Sequence, residues 1–415
     1  MAEAEKLYDV IIVGAGIAGG ALATVLARAG RSVLLLEKSE TFTDHVRGEA
    51  IVPWGVKEAQ DLGLHEDLIA AGAHYVSRGV GYDELNPASV VEAAPTDMAL
   101  FVPGVRGILA IGHPQHCQAL LDAAVSAGAS VRRGVEIAAL EAGAAPEVTF
   151  EAAGETVTAR ARLIVGADGR TSPVREALGI SLTIGAPRTC LSGLLVADAE
   201  DWDIDTWMLG TEKDFCFAAF PQGGGRARVY GWWNVGERRR FAGPGGVDAF
   251  LAAFNLGCCP KSATIAGARA AGPLITFLNN ETVAERPFTK GAVLIGDAAG
   301  WTDPLSGLGL SCAYRDARIV SEILLASDDW SDTAFASYAL ERNERLRRLR
   351  FVTEIESTLF CDFEDLGRAR RRQFFDRLPS EPNLAAHLIA NLAGPESQPP
   401  EAYTPAHRAY VLGAA

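Results

Sequence analysis

Cysteine is scarce in this sequence and nowhere spaced for chemistry. There are seven in 415 residues, an odd number with no Cys-x-x-Cys pair, Cys258 and Cys259 being merely adjacent. That excludes a disulfide framework and a dithiol redox motif, and it fits a reducing, cytoplasmic setting. A His-Glu-x-x-His run and zinc-ligand spacings are missing as well, so no metal site is expected. No apolar run approaches the ~18 residues of a membrane span, and the first ten residues carry acids where a secretory leader carries bases, so neither anchor nor leader is expected. Positive charge is in deficit: 38 Lys+Arg stand against 52 Asp+Glu, a net charge of −14. A field of that sign repels phosphate and argues against a nucleic-acid or anionic-membrane binder. What is present is 48% hydrophobic and 22% charged residues, the composition of a globular enzyme of roughly two to three domains at ~150 residues each.

The N-terminal segment carries the first chemical signal. Val10–Val13 is a short β-branched run, as expected for a strand buried on both faces of a parallel sheet. It ends at Gly14-Ala15-Gly16-Ile17-Ala18-Gly19, an alanine-rich helix follows to about Arg28, and a second apolar strand closes at Glu37, 18 residues past the last glycine. In this order the residues form a dinucleotide fingerprint. Gly14 permits the tight turn, Gly16 lets backbone approach a pyrophosphate, and Gly19 lets the helix pack on the sheet. The helix N-terminus supplies free N–H groups to phosphate, and Glu37 stands where a carboxylate accepts from an adenosine ribose. The fingerprint leaves FAD and NAD(P) both open.

Two later strands release acids at their carboxyl ends. Leu163–Val165 leads into Gly166-Ala167-Asp168-Gly169-Arg170-Thr171-Ser172-Pro173, where Ser172 before Pro173 is a helix start. Val293–Ile295 leads into Gly296-Asp297-Ala298-Ala299-Gly300, and then Asp303-Pro304-Leu305-Ser306-Gly307-Leu308-Gly309 opens a helix carrying Asp316. Ligands of such sheets lie beyond the carboxyl ends of the strands, so Glu37, Asp168 and Asp297 are expected to line one crevice.

These three spaced motifs resemble those of the single-component (class A) flavoprotein monooxygenases typified by para-hydroxybenzoate hydroxylase. The resemblance implies a Rossmann-type α/β FAD-binding domain, an inserted β-sheet substrate domain and a helical C-terminus. It implies non-covalent FAD held by Gly14, Gly16, Gly19 and Glu37 on its ADP half, by Asp297 at the ribityl chain, and by Pro304, Gly307, Leu308 and Gly309 beside the ring. Asp168 would serve FAD and a passing NAD(P)H. His113 occupies the place of an arginine or glutamine that reaches the ribityl chain, and Ser311 stands where the family often has asparagine. Arg47 and His45, in His45-Val46-Arg47-Gly48-Glu49, would bring a positive charge and a base or gate to the ring; Glu49 is shared with related reductases and halogenases.

The middle of the chain reads as strands, with a hairpin between Phe215–Pro221 and Arg226–Asn234 across Gln222-Gly223-Gly224-Gly225. Of its aromatics, Phe217, Tyr230 and Trp232 are the candidate substrate contacts. The division expected is a discontinuous FAD-binding domain (1–75, 104–185 and 276–350), a substrate domain (76–103 and 186–275), and a helical segment and tail (351–415). The arginines between 342 and 350 and between 368 and 372 read as solvated helix surface, and 394–405 as an extended surface segment. The leading function is an NAD(P)H- and O2-dependent FAD monooxygenase, hydroxylating or epoxidising a small aromatic or natural-product substrate through a flavin C4a-hydroperoxide. Alternatives are an FAD-dependent reductase of the geranylgeranyl reductase type, a flavin halogenase, and a flavin-binding regulatory protein. The oligomeric state is not readable.

Overall fold

The computed structural model describes residues 6–413 with the exception of Arg47. A mostly parallel sheet draws its strands from both halves of the chain. Its strands run in the order Phe288–Thr289, Ala292–Leu294, Glu155–Gly166, Leu7–Val13, Val33–Glu37, Ser130–Arg133. All neighbours are parallel except the first pair. The central strand needs apolar residues on both faces, and it has them. Val10 and Ile12 enter one core with the helices Ile17–Arg28, His113–Ser126 and Gly309–Ala326, while Ile11 and Val13 enter another beneath the meander of Glu136–Glu141 and Glu147–Ala152. The carboxyl ends of Leu7–Val13, Val33–Glu37, Glu155–Gly166 and Ala292–Leu294 consequently open on one edge, where Gly14, Glu37, Asp168 and Asp297 follow.

A second sheet has the order Arg269–Ala270, Thr189–Ala197, Arg226–Asn234, Phe215–Gly223, Thr206–Glu212, Arg78–Asp83, Thr96–Asp97, with Ile275–Asn279 alongside Thr189–Ala197. Period-two alternation divides its central strands. Phe215, Phe217 and Trp233 face a core with Phe250 and Phe254 under two short helices, Gly246–Ala252 and Ser262–Ala266. Cys216, Ala218, Tyr230 and Trp232 face the other way, toward Leu305, Phe360 and Phe363. The segment 76–103 is not all strand, since Ala88–Ala93 is helical.

The arginines of the long helix Ala336–Phe360 are not all solvated surface, as the sequence pattern suggested. Arg342 and Arg345 are each 1% exposed and both pair with the fully buried Asp316, at 3.0 and 2.6 Å. Arg342 also donates to the carbonyls of Ala299, Gly296 and Gly300, and so braces the turn that carries Asp297. Arg371 is likewise buried, on Asp83 at 2.8 Å. The tail is not extended either: short 3-10 turns at Pro395–Ser397 and Pro400–Tyr403 lead to the helix Pro405–Leu412, and Tyr403 donates to the Pro395 carbonyl at 2.5 Å.

Candidate functional site

The glycine turn shows why those positions carry no side chain. Gly14 has φ +101°, and a Cβ there would lie 2.4 Å from the Ala167 carbonyl oxygen; at Gly19 it would lie 1.9 Å from the Gly14 carbonyl oxygen. The turn is wedged between the ends of two strands and its own helix. Gly16 differs: a Cβ there would meet nothing within 4 Å. It fronts open space at the start of Ile17–Arg28, a helix whose first turn has neither a side-chain cap nor an acid. Unsatisfied N–H groups facing open space form an anion site, which fits a pyrophosphate. Glu37 accepts from Ala15 N at 2.8 Å and Ser39 N at 2.9 Å; an ionised carboxylate has about four acceptor positions, which leaves room for ribose hydroxyls.

The second motif is built differently. Asp168 accepts from Ser172 Oγ at 2.5 Å and Val174 N at 3.0 Å, and Ser172 Oγ accepts in turn from Arg175 N at 2.9 Å. Asp168 thus caps the helix Pro173–Ala177 through one oxygen and holds the Ser172 cap through the other, and burial raises its carboxyl above the usual range. Arg175 crosses to the Ala298 carbonyl at 3.0 Å, linking this motif to the third. Asp297 stands on the short 3-10 turn Gly296–Ala299 and accepts from Arg170 Nε at 3.1 Å. The Arg170 guanidinium lies 5.2 Å from the Trp301 ring centre. Nothing in the sequence marks Arg170 or Trp301, because an arginine after Asp-Gly and a single tryptophan after Gly300 have no distinctive spacing.

The loop 303–309 follows. Asp303 caps Leu305 N at 2.9 Å, and burial pushes its carboxyl up to about 6. Pro304 opens the turn Pro304–Ser306, Gly307 takes φ +66°, Leu308 is fully buried, and Gly309 begins a helix without a side-chain cap. A Cβ at Gly307 or Gly309 would meet nothing within 4 Å, so this backbone fronts open space, as a ring-binding loop requires. His113 begins the helix His113–Ser126, its Nε2 3.6 Å from Cys117 Sγ. Its neighbour His116 is fully buried against the Tyr314 hydroxyl, and burial depresses it to about 3, which keeps it neutral.

Asp44, Val46 and Glu49 are strapped to the second sheet. Arg228 is 2% exposed and pairs with Asp44 at 2.6 Å and with the equally buried Glu49 at 3.1 Å. Tyr230 donates its hydroxyl to Glu49 Oε2. A Cβ at Gly193 would come 2.2 Å from Val46 Cγ1, so glycine is what lets Val46, itself at φ 54°, lie against the strand. Burial raises Glu49; burial also works against Asp44, yet the Val46 N–H and Arg228 outweigh it and lower that carboxyl. Arg47 lies outside the described residues. His45 is exposed, 3.1 Å from Thr43 Oγ1.

Tyr230 and Trp232 lie together on the inward face, ring centres 5.9 Å apart, and Phe220 and Trp207 extend the array, the last two stacked at 5.5 Å. Phe217 is on the opposite face, packed at 6.5 Å on Phe254. The structure therefore brings Tyr230 and Trp232 together and leaves Phe217 in the core. Strand parity marks the inward set: Arg228, Tyr230 and Trp232 share it, and an arginine at this parity is the signal in the sequence that distinguishes it.

Residues 7–350 match a family model described as an FAD binding domain. The chain belongs to that family. Rifampicin monooxygenase of Streptomyces venezuelae is 29% identical, over 93% of this chain and 78% of its own. Digeranylgeranylglycerophospholipid reductase 2 of Methanopyrus kandleri is 26% identical, over 81% and 82%. The solved p-nitrophenol 4-monooxygenase of Pseudomonas putida superposes with a TM-score of 0.78 at 19% identity, covering 94% of this chain and 98% of that one. The protein is an FAD-dependent oxidoreductase of the class A, para-hydroxybenzoate hydroxylase-like kind. Among the described residues no helix is long and apolar enough to cross a membrane, and no cluster of His, Cys, Asp and Glu is arranged to hold a metal.

Proposed function

We propose that the protein is a monooxygenase that takes electrons from NAD(P)H and one oxygen atom from O2 to hydroxylate or epoxidise a small aromatic or natural-product substrate. The observation that carries this reading is the aromatic, inward face of the second sheet, Tyr230 and Trp232 with Phe220, closing over Leu305 of the glycine loop. Bound FAD would supply the redox and oxygen chemistry; the chain binds, orients and keeps water out. Gly14, Gly16, Gly19 and Glu37 would hold the ADP half, Asp297 and His113 the ribityl region, and Pro304, Gly307, Leu308 and Gly309 the ring. Asp168 would shape the path of NAD(P)H by capping its helix. Arg47 would place a positive charge near the ring, with His45 at the entry. In this reading 1–75, 104–185 and 276–350 form the FAD-binding domain, and 76–103 with 186–275 roofs the substrate.

A second reading, a reductase that saturates a carbon–carbon double bond, is favoured by the likeness to the Methanopyrus reductase and by the Gly48-Glu49 pair. Turnover under 18O2 with phenolic, polyketide-like and terpenoid candidates separates the two. Product heavier by one 18O supports the monooxygenase, whereas product heavier by two hydrogens, with no label, establishes the reductase.

A further inference from the structure

Glu356 lies behind the glycine loop, on the helix Ala336–Phe360, and is 6% exposed. Its Oε2 stands 2.7 Å from Ser306 Oγ; Ser306 Oγ stands 2.5 Å from Thr353 Oγ1; and Thr353 Oγ1 stands 2.9 Å from the Leu349 carbonyl oxygen. On the other side, Asn391 Nδ2 donates to both carboxyl oxygens, at 3.0 and 3.2 Å, while the Asn391 carbonyl accepts from Trp54 Nε1 at 3.1 Å.

Counting protons along this chain favours a protonated carboxyl. All three O···O contacts are full hydrogen bonds only if three protons are shared among them. The two hydroxyls supply one each. With Glu356 ionised, Ser306 donates to the carboxylate, and Thr353 can donate to Ser306 or to the Leu349 carbonyl but not fully to both. With Glu356 protonated, its O–H donates to Ser306, Ser306 donates to Thr353, Thr353 donates to the Leu349 carbonyl, and every contact is made.

We propose that Glu356 is a positioning residue that carries a proton and, through Ser306, fixes the Pro304–Gly309 loop, while Asn391 ties the same carboxyl to the C-terminal tail. The tail from 386 onward is then a working part of the flavin site. The proposal rests on the reading that this loop borders the ring. Burial acts in the same direction, pushing the carboxyl up to about 7, and Asp303 of the same loop is the charged group that acts on it. From its own helix it meets neutral Thr353, and from the tail helix neutral Asn391; Trp54 reaches Asn391 only.

The test compares Glu356→Gln, neutral and able to donate in place of the O–H, with Glu356→Ala. Apoprotein is titrated with FAD, followed by flavin fluorescence, from pH 6 to 8.5. The wild type is expected to lose about threefold or more in affinity as the proton leaves, since half a pKa unit of coupling is that large. The Gln variant should lack the step near 7 and keep only the dependence that Asp303, at about 6, contributes. A Gln variant that keeps the wild-type pH profile overturns the proposal. Thermal unfolding of the apoproteins over the same range gives a readout without FAD: the wild type should fall below the Gln variant as pH rises, and parallel curves again overturn the proposal. Should FAD fail to bind wild type at all, the flavin reading fails, while the unfolding curves still decide where the proton sits.

Discussion

Tyr230 donates its hydroxyl to Glu49 Oε2, and Arg228, two residues away on the same strand face, pairs with the other oxygen of the same carboxyl. One buried acid from the loop after the strand Val33–Glu37 is thereby held twice by the second sheet. The relative placement of sheet and loop is set by groups that lose their partners if they separate, and an unpaired buried charge is far costlier than a lost surface contact.

Removing the guanidinium should therefore cost more than removing the phenol. Arg228→Met leaves the buried Glu49 and the half-buried Asp44 without their cation, and about 3–5 kcal/mol of unfolding free energy should be lost. Tyr230→Phe removes one donor and should cost about 1–3 kcal/mol. Urea denaturation of the two variants at pH 7 checks the order; equal losses would mean that the ion pairs do not hold the loop.

Asp297 offers a comparison at the cofactor. If it accepts from ribityl hydroxyls, Asp297→Ala leaves those groups and Arg170 unpaired, at about 1–3 kcal/mol, which is roughly tenfold to a hundredfold in FAD affinity. Asp332→Ala, which breaks only the exposed pair with Arg286, serves as the control. FAD retained after gel filtration is the measurement, and equal retention removes Asp297 from the site.

Beneath that turn, Asp316 is ionised between Arg342 and Arg345. Burial alone would raise its carboxyl, but the two guanidinium groups prevail and lower it. A carboxyl lowered on folding contributes stability that is present above its unfolded pKa and lost as the pH falls through the folded value. Asp316→Asn should therefore be markedly less stable than wild type at pH 7, by about 3–5 kcal/mol, with the gap narrowing toward the acid end. A gap that stays constant from pH 7 to pH 3 would contradict the pairing.

Arg47 rests on the family resemblance alone. A cation near the ring would favour the negative charge that develops on flavin reduction. Arg47→Ala should slow anaerobic reduction by NAD(P)H, or raise peroxide release during turnover, with FAD still bound; His45→Ala should be milder. Stopped-flow reduction with a peroxide assay checks both, and wild-type values in each would make Arg47 an ordinary loop residue.

The Rossmann half was legible because local signals agree there. A β-branched run, a glycine turn and a terminal acid each demand the same strand–turn–helix, and the helix Ile17–Arg28 and strand Val33–Glu37 lie where the pattern places them. The buried arginines were not legible, because a charged helix with acids nearby looks the same in sequence whether it faces water or Asp316. The chain Glu356–Ser306–Thr353 joins residues 47 to 50 positions apart, and no local periodicity marks it. Between these extremes lies the second sheet, whose hairpin is visible but whose inward face is not, since both parities carry aromatics.

That ambiguity gives the last prediction. Phe217 and Trp232 are on adjacent strands and both nearly buried, yet they face opposite sides of the sheet. Phe217→Ala should open a cavity against Phe254 and cost about 3–5 kcal/mol of stability. Substrate KM in the folded fraction should be little changed, because no atom on the inward face has moved. Trp232→Ala should also cost stability, but it removes an aromatic wall beside Tyr230 and should in addition raise KM or uncouple NAD(P)H consumption from product formation. The measurement is the pair of quantities, unfolding free energy and coupling ratio, on both variants. Uncoupling by Phe217→Ala with tight coupling in Trp232→Ala would mean that the substrate lies on the face we assign to the core.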